Sequence, residues 1–364
     1  MTLGPAPSSA LFNAQSLVAV ERALAEFRSG RPVVFRARSS ILAMPFDGCD
    51  ASRLKRFRRI SNSTQLRLAI SARRACALGL GSERALTINL TKRTQIDEIF
   101  SLAFQTSCSE RLQTRPAGPA VRAALDLAKL SGRLPSLLVA GIGRQRCLER
   151  VTELTASSVC RFRQHLADSL RIVVSSTIPL EGDVAADLVV FRDAIGGTQI
   201  ALIVGEPDLS RTVLVRIHSS CVTGDVFGSR RCDCGDQLKL ALRRMRRAGG
   251  IVLYLEQEGR GLGLTNKIRA YRLQDLGLDT IDANGVLGFE GDERDYGVAA
   301  QMLQLLGCRR VVLLTNNPAK PAALSRQGLE TCETMPIVAP ITKSNRRYLT
   351  TMAKRAGHRL AYER

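Results

Sequence analysis

The chain has 364 residues, enough for two or three domains with buried cores. Its 45% apolar and 24% charged residues exclude wholesale disorder and a fibrous repeat. Charge is uneven: 53 Lys and Arg against 33 Asp and Glu give +20, with 27 basic and 12 acidic residues before position 181 but 26 and 21 from it onward. An excess of that size draws polyanions, whether nucleic acid, anionic lipid or phosphorylated small molecules. The first charged residue is Glu21, so no basic signal-peptide start is expected, and no run of 18 apolar residues predicts a membrane span. Ten cysteines without a secretory signal point to a reducing cytoplasm, where thiols are buried, catalytic or metal-bound.

In chain order, the pattern predicts a helix over Ala23–Phe27 and a strand over Pro32–Phe35. Arg53–Arg59 is the densest basic run, to be read as a solvated face or as a nucleic-acid or phosphate patch. An amphipathic helix over Ala123–Leu130 stops at Gly132, and Leu134–Ala140 reads as a strand. From about residue 185 apolar runs alternate with helical patterns, as in an α/β domain. Strands are expected at Thr212–His218, Ile251–Leu255 and Val311–Leu314, and helices at Asp236–Ala248 and Tyr296–Leu306. Another helix is expected near Pro318, and a last one from an N-cap at Ser344 through Arg355. The expected fold class is α/β (α+β) in two domains, residues 1–180 and 181–364.

Seven cysteines are scattered singly at 49, 76, 108, 147, 160, 308 and 332, but Cys221, Cys232 and Cys234 form a Cys-x(10)-Cys-x-Cys pattern. Three thiols converging across a loop suit Zn²⁺, which prefers sulfur and nitrogen ligands in a tetrahedron. The alternative is ordinary reduced thiols, and His218 stands close enough in sequence to be a fourth ligand. A second protein class, a basic nucleic-acid-binding protein with a structural zinc, would account for the charge but not for the motifs that follow.

Those motifs are Arg216-Ile217-His218-Ser219, the cysteine cluster, Gln257-Glu258-Gly259-Arg260-Gly261-Leu262-Gly263, Asn266-Lys267-Ile268-Arg269-Ala270-Tyr271, Asp292-Glu293-Arg294-Asp295-Tyr296-Gly297 and Leu314-Thr315-Asn316-Asn317-Pro318-Ala319-Lys320. In this order, Arg216 to His358 resembles GTP cyclohydrolase II, the zinc enzyme that opens the guanine ring of GTP at the start of riboflavin synthesis. The resemblance implies hydrolysis of GTP to formate, pyrophosphate and 2,5-diamino-6-(5-phosphoribosylamino)pyrimidin-4-one. It implies Zn²⁺ on the three cysteines with water as the fourth ligand, Mg²⁺ with GTP, and a homodimer. His218 is then left to support the loop or touch phosphate. One departure is Ser220, where many members of the family carry Glu.

Within the resemblance, Arg216, Arg260 and Lys320 match phosphate-binding positions, as suits donors that keep their charge. Glu258 can read the two adjacent donors of the guanine edge, or be a surface acid. Gln237, Tyr271, Thr280, Thr315, Gly259 and the Arg216–Ser220 stretch, with Ile217 and Ser219, fall around the nucleotide, although Tyr271 sits on a helical pattern that also fits a core role. Asp292 and Arg294 match the family's proposed general base and its proposed arginine nucleophile. An arginine needs a base to take its proton before it can attack, and charge stabilisation at the α-phosphate would require the same residue.

The first half carries fainter traces of another family. Gly30-Arg31-Pro32-Val33-Val34-Phe35 resembles the first strand of 3,4-dihydroxy-2-butanone 4-phosphate synthase, and the run from Ala123 to Gly132 resembles a helix near its end. That family follows its strand with an acidic loop for Mg²⁺, where this chain has Arg36-Ala37-Arg38-Ser39-Ser40-Ile41, and it has His-Thr-Glu where this chain has Ala120-Val121-Arg122. Arginines do not hold a hard cation. The expectation is a degenerate domain without synthase activity, left with a scaffolding, dimerising or anion-binding role.

Overall fold

The computed structural model describes residues 15–62, 65–105, 112–143, 148–182 and 184–359. The opening segment and Cys108 and Cys147 lie outside the described residues. Two compact units divide the chain between Phe162 and Arg163, and Asn284–Glu290 belongs with the first. Arg171–Leu180, ahead of the expected boundary at residue 180, is a strand that pairs along its length with Val184–Arg192 of the second unit.

The first unit holds α1 (Gln15–Arg28), β1 (Val33–Arg36), β2 (Ile41–Pro45), α2 (Ala51–Ser61), β3 (Leu66–Ile70), α3 (Ala72–Ala77), β4 (Leu86–Leu90), α4 (Ile96–Phe104), β5 (Thr114–Pro116), α5 (Pro119–Leu130), β6 (Ser136–Gly141) and β7 (Glu153–Thr155). Helix α6 (Ala156–Asp168) spans the division. The strands form one sheet, β5-β4-β3-β6-β2-β1-β7, antiparallel except for the β1–β7 pair. Its core gathers Leu42, Phe46, Leu68, Ile70, Ile88, Ile99 and Leu138. The basic run lies on α2, which buries only Leu54, Phe57 and Ser61, so its apolar stripe faces the core while most of the arginines face water.

The second unit holds β8 (Arg171–Leu180), β9 (Val184–Arg192), β10 (Thr198–Val204), β11 (Thr212–Ser219), α7 (Cys234–Ala248), β12 (Gly250–Leu255), the single turn α8 (Glu258–Gly261), α9 (Leu264–Asp275), α10 (Thr280–Val286, which runs into the first unit), α11 (Gly297–Leu305), β13 (Arg310–Leu314), α12 (Ala319–Arg326), β14 (Glu330–Met335) and α13 (Arg346–Ala356). The sheet order is β14-β13-β11-β12-β10-β9-β8. The first four strands run parallel and the last three form an antiparallel meander. Parallel strands are covered on both faces, and β12 accordingly reads as a near-continuous apolar run, whereas β11 buries Arg216 and His218 among its apolar residues. The meander strand β9 instead mixes exposed positions with buried Ala186, Val189 and Phe191. The last helix begins one turn position later than expected: Asn345, not Ser344, precedes Arg346, and its Oδ1 accepts from the Thr342 N–H.

In open α/β sheets ligands gather beyond the carboxyl ends of parallel strands. Here β11 ends at Ser219 before Cys221, β12 ends at Leu255 before Glu258 and Arg260, and β13 ends at Leu314 before Thr315 and Lys320. Three stretches far apart in sequence thus meet at one edge of one sheet.

Candidate active site

The sulfur atoms of Cys221, Cys232 and Cys234 lie within 4.8 Å of one another, the only such group of potential metal ligands among the described residues. Cys221 Sγ and Cys232 Sγ are 3.6 Å apart and no disulfide joins them. Thiolates about 2.3 Å from one tetrahedral zinc stand about 3.8 Å apart, so the spacing fits a shared ion. Glycine makes the approach feasible: a Cβ on Gly235 would stand 2.3 Å from the Gly224 carbonyl oxygen, pushing apart the loop of Cys221 and the start of α7 that carries Cys234. Hydrogen bonds from the other two thiols, together with the Lys267 ammonium 3.1 Å from its sulfur, push the Cys221 thiol down, toward thiolate.

The loop is held by carboxylates. Asp225 accepts from the Cys221 N–H at 2.9 Å and from the Tyr254 hydroxyl at 2.9 Å, and its carboxylate faces His218 Nε2 at 3.2 Å. His218 is thus turned to Asp225 and lies outside the thiol cluster. Glu258 accepts from the Val222 N–H at 2.7 Å and from Lys267 Nζ at 2.7 Å. Lys267 also donates to Thr223 Oγ1 at 2.8 Å, so one buried ammonium ties α9 to the cysteine loop.

Beside the thiols opens a cleft lined by Arg216, Gln237, Arg260, Arg294, Thr315 and Lys320, with Cys234 on its wall. Arg294 grips Asp292 bidentately, Nε to Oδ1 at 2.8 Å and Nη2 to Oδ2 at 2.6 Å. Burial alone would raise the Asp292 carboxyl, but Arg294, helped by Arg260, outweighs it and holds the group at about 2. Arg216 donates to Leu314 O at 3.0 Å and to Gln237 Oε1 at 2.5 Å. Lys320 donates to Ile217 O at 2.7 Å, and burial together with the charges of Arg216 and Arg294 pushes its ammonium well below its ordinary value. Four cations therefore crowd a space with few counter-charges.

Arg260 is placed at a cost. It has φ +64°, and left-handed backbone of this kind costs a non-glycine residue about 1–3 kcal/mol. The turn is pressed onto the next segment, since the Arg260 carbonyl accepts from Glu293 N–H at 3.0 Å and a Cβ on Gly261 would stand 2.8 Å from the Glu293 carbonyl carbon. The guanidinium ends 3.6 Å from Asp292. Within the cleft Arg216 Nε, His218 Nδ1, Ser219 Oγ, Arg260 Nε and His358 Nε2 are buried without a hydrogen-bond partner among the described residues. Buried polar atoms are nearly always paired, so a cluster of unpaired donors among cations marks an anion site.

The other expected residues are placed as follows. Tyr271 lies on α9, half-buried, with the Arg231 guanidinium 4.4 Å from its ring centroid. Thr280 opens α10 and is half-buried, outside the lining of the cleft, as are Glu258, Gly259 and Tyr271. Ser220 donates its N–H to Leu255 O at 2.8 Å, and Thr315 Oγ1 accepts from Asn317 N–H at 3.0 Å. Residues not singled out from sequence include Asp225, Asp233, Lys267, Asn317, Tyr348 and His358. Asp225, Asp233, Lys267 and Asn317 sit inside the very motifs that carry the resemblance, where each polar side chain bonds to a cysteine, a glutamine or Asp292. Tyr348 and His358 lie on or just after α13, where no motif marks them.

A sulfur cluster fit for a metal stands beside a cation-lined cleft at the end of a parallel sheet, an arrangement that suits an enzyme acting on an anionic substrate. The sequence model of the GTP cyclohydrolase II family matches residues 171–336. The GTP cyclohydrolase-2 of Azospirillum brasilense is 38% identical over 93% of this chain and 93% of its own, and that of Xylella fastidiosa (strain Temecula1) is 36% identical over 96% and 89%. The riboflavin biosynthesis protein RibBA of Bacillus mycoides is 42% identical over 65% of this chain and 64% of its own. The crystal structure of a two domain 3,4-dihydroxy-2-butanone 4-phosphate synthase from A. baumannii covers 88% of this chain and 99% of its own at 17% identity, with a TM-score of 0.33, too loose a likeness to bear on the function.

The chain belongs to the GTP cyclohydrolase II family. It is a hydrolase of riboflavin biosynthesis with the activity of that family.

Proposed function

We propose that the enzyme hydrolyses GTP to formate, pyrophosphate and 2,5-diamino-6-(5-phosphoribosylamino)pyrimidin-4-one, with Zn²⁺ in the thiol cluster and Mg²⁺ accompanying the triphosphate. The observation that carries this reading is the juxtaposition of a three-thiol cluster with a cleft of four cations, because the reaction breaks bonds at both ends of one nucleotide. Cys221, Cys232 and Cys234 would hold the zinc, which when bound supplies Lewis-acid activation of water for attack on the guanine ring. Asp225 and Glu258 fix the loop that presents Cys221 and Val222, and Lys267 offsets thiolate charge. Arg216, Arg260 and Lys320 bind the triphosphate, with Gln237 orienting Arg216. Asp292 holds the Arg294 guanidinium at a fixed angle, where it stabilises charge at the α-phosphate. Gly259, Tyr271, Thr280, Thr315 and the stretch Ile217–Ser220 complete the nucleotide site.

The first unit is a degenerate synthase domain in this reading. Support comes from Arg36, which stands where an acidic metal loop would begin and donates its Nε–H to Glu153 at 2.8 Å, a half-buried pairing of β1 and β7. The protein acts as a homodimer in the cytoplasm. No helix among the described residues is long and apolar enough to cross a membrane.

The test is GTP labelled at guanine C8, incubated with Mg²⁺ and with or without zinc. Labelled formate appearing only with zinc is expected. Zinc-independent release, or none from metal-loaded protein, refutes the assignment. Ribulose 5-phosphate should remain unchanged under the same conditions, and formation of a four-carbon phosphate would overturn the degenerate reading of the first unit.

A further inference from the structure

His358 lies 22 residues beyond the end of the family match, on the segment that follows α13. Its backbone is pinned on both sides. The His358 N–H donates to Met352 O of α13 at 3.1 Å, and the neighbouring Arg359 N–H donates to Asn316 O at 3.0 Å, in the turn that also carries Thr315 and Lys320. The ring is thereby delivered into the cation-lined cleft, where its Nε2 is buried without a hydrogen-bond partner among the described residues. A chain that spends two backbone hydrogen bonds to hold an imidazole at such a place leaves that nitrogen for something else.

The charged groups bearing on the ring are Arg260, Arg294 and Lys320, with Asp292 the counter-charge. Asp292 is already committed to Arg294 and within reach of Asn317 and Tyr296, so it offers the ring no vacant acceptor. Burial first, and then the three cations, push the imidazole down to about 4, which keeps it neutral near pH 7. A neutral imidazole carries one N–H donor, and in this setting the acceptor that suits it is an anionic oxygen.

We propose that His358 is a substrate-binding residue whose Nε2–H donates to a phosphate oxygen of GTP, a contact supplied by the C-terminal segment in addition to Arg216, Arg260 and Lys320. The inference rests on the reading of the cleft as the triphosphate site. Its test compares the parent with His358→Ala and His358→Gln, the latter placing an amide N–H near the Nε2 position. For each, KM and kcat for GTP are measured with the inhibition constants of inorganic pyrophosphate and of guanosine.

A hydrogen bond to a charged group is worth about a factor of ten or more. His358→Ala should raise both the KM for GTP and the pyrophosphate constant about tenfold, leave the guanosine constant unchanged, and be largely rescued by His358→Gln. If the alanine variant folds poorly, His358→Phe keeps the ring volume, removes the nitrogens and carries the same expectation. Unchanged pyrophosphate binding in a folded variant overturns the proposal, as does an equal weakening of guanosine, which would mark a general structural role. A parent enzyme that turns over GTP while ignoring pyrophosphate instead removes the triphosphate reading beneath it, and the inference with it.

Discussion

Two buried arginines, one in each unit, show how a packing residue differs from a binding one. Arg74 in the first unit is fully buried, and its guanidinium donates to the carbonyls of Leu102, Gln105 and Val286 at 2.7–3.0 Å. Neutral carbonyls satisfy it, so it needs no ligand. Arg216 in the second unit is buried to a similar degree, but it keeps an unpaired Nε and shares its cleft with Arg294 and Lys320. Burying like charges together is unfavourable in the free protein and becomes favourable only with an anion present. The stability sacrificed there is the signature of the site.

The largest effect should come from the thiols. Cys221→Ser, Cys232→Ser and Cys234→Ser should each lose the metal and all ring opening, because a three-sulfur site with one ligand missing binds far more weakly. Metal analysis checks this, and full zinc occupancy in all three would dissolve the assignment. At the other end of the nucleotide, Arg294→Ala should slow pyrophosphate release by roughly 10²–10³-fold, the usual cost of one preorganised charge donor. Unchanged release in a pyrophosphate assay would take Arg294 out of the mechanism.

Arg74→Leu strands three carbonyls and should destabilise the fold by roughly 3 kcal/mol in urea titration, at about 1–3 kcal/mol for each buried group left unpaired. Arg216→Leu should cost less than half of that, since it relieves crowding, yet raise the KM for GTP at least about tenfold. Equal destabilisation by the two changes would erase the distinction.

The smallest effect concerns pH. The Asp292 carboxyl at about 2 lies below its ordinary 3.8, so its pairing with Arg294 contributes fully above about pH 4 and is lost as pH falls through about 2. The difference in stability between the parent and Asp292→Asn should therefore be flat from pH 5 to 8 and shrink only in strong acid. A change centred near pH 6 would mean that the pair is not formed.

The sequence made the second unit far more legible than the first. β12 and β13 are apolar runs bounded by clear stops, β11 contains the Arg216 motif, and the motifs that begin at Cys221, Gln257 and Leu314 lie at strand ends. The meander of β8 to β10 carries no clear period, because its strands are half-exposed and hold polar residues such as Ser175, Ser176 and Thr177. In the first unit β2, β3 and β4 are only five residues each, too short for a period to declare itself. Within the site, donor types were legible but their targets were not. Spacing cannot say that Glu258 turns toward Val222 and Lys267, that His218 faces Asp225, or that a lone histidine near the end of the chain enters the cleft. Those are outcomes of three strand ends meeting, which only tertiary structure decides.

One nucleotide should span the thiol cluster and the cation cleft. The direct measurement is mass spectrometry of the products formed from GTP by the zinc- and magnesium-loaded parent and by Arg294→Ala. The parent should give formate, pyrophosphate and the phosphoribosylamino-pyrimidine in equal amounts, and the variant should lose pyrophosphate through its change in the cleft alone. Intact GTP after long incubation with fully zinc-loaded parent would contradict it.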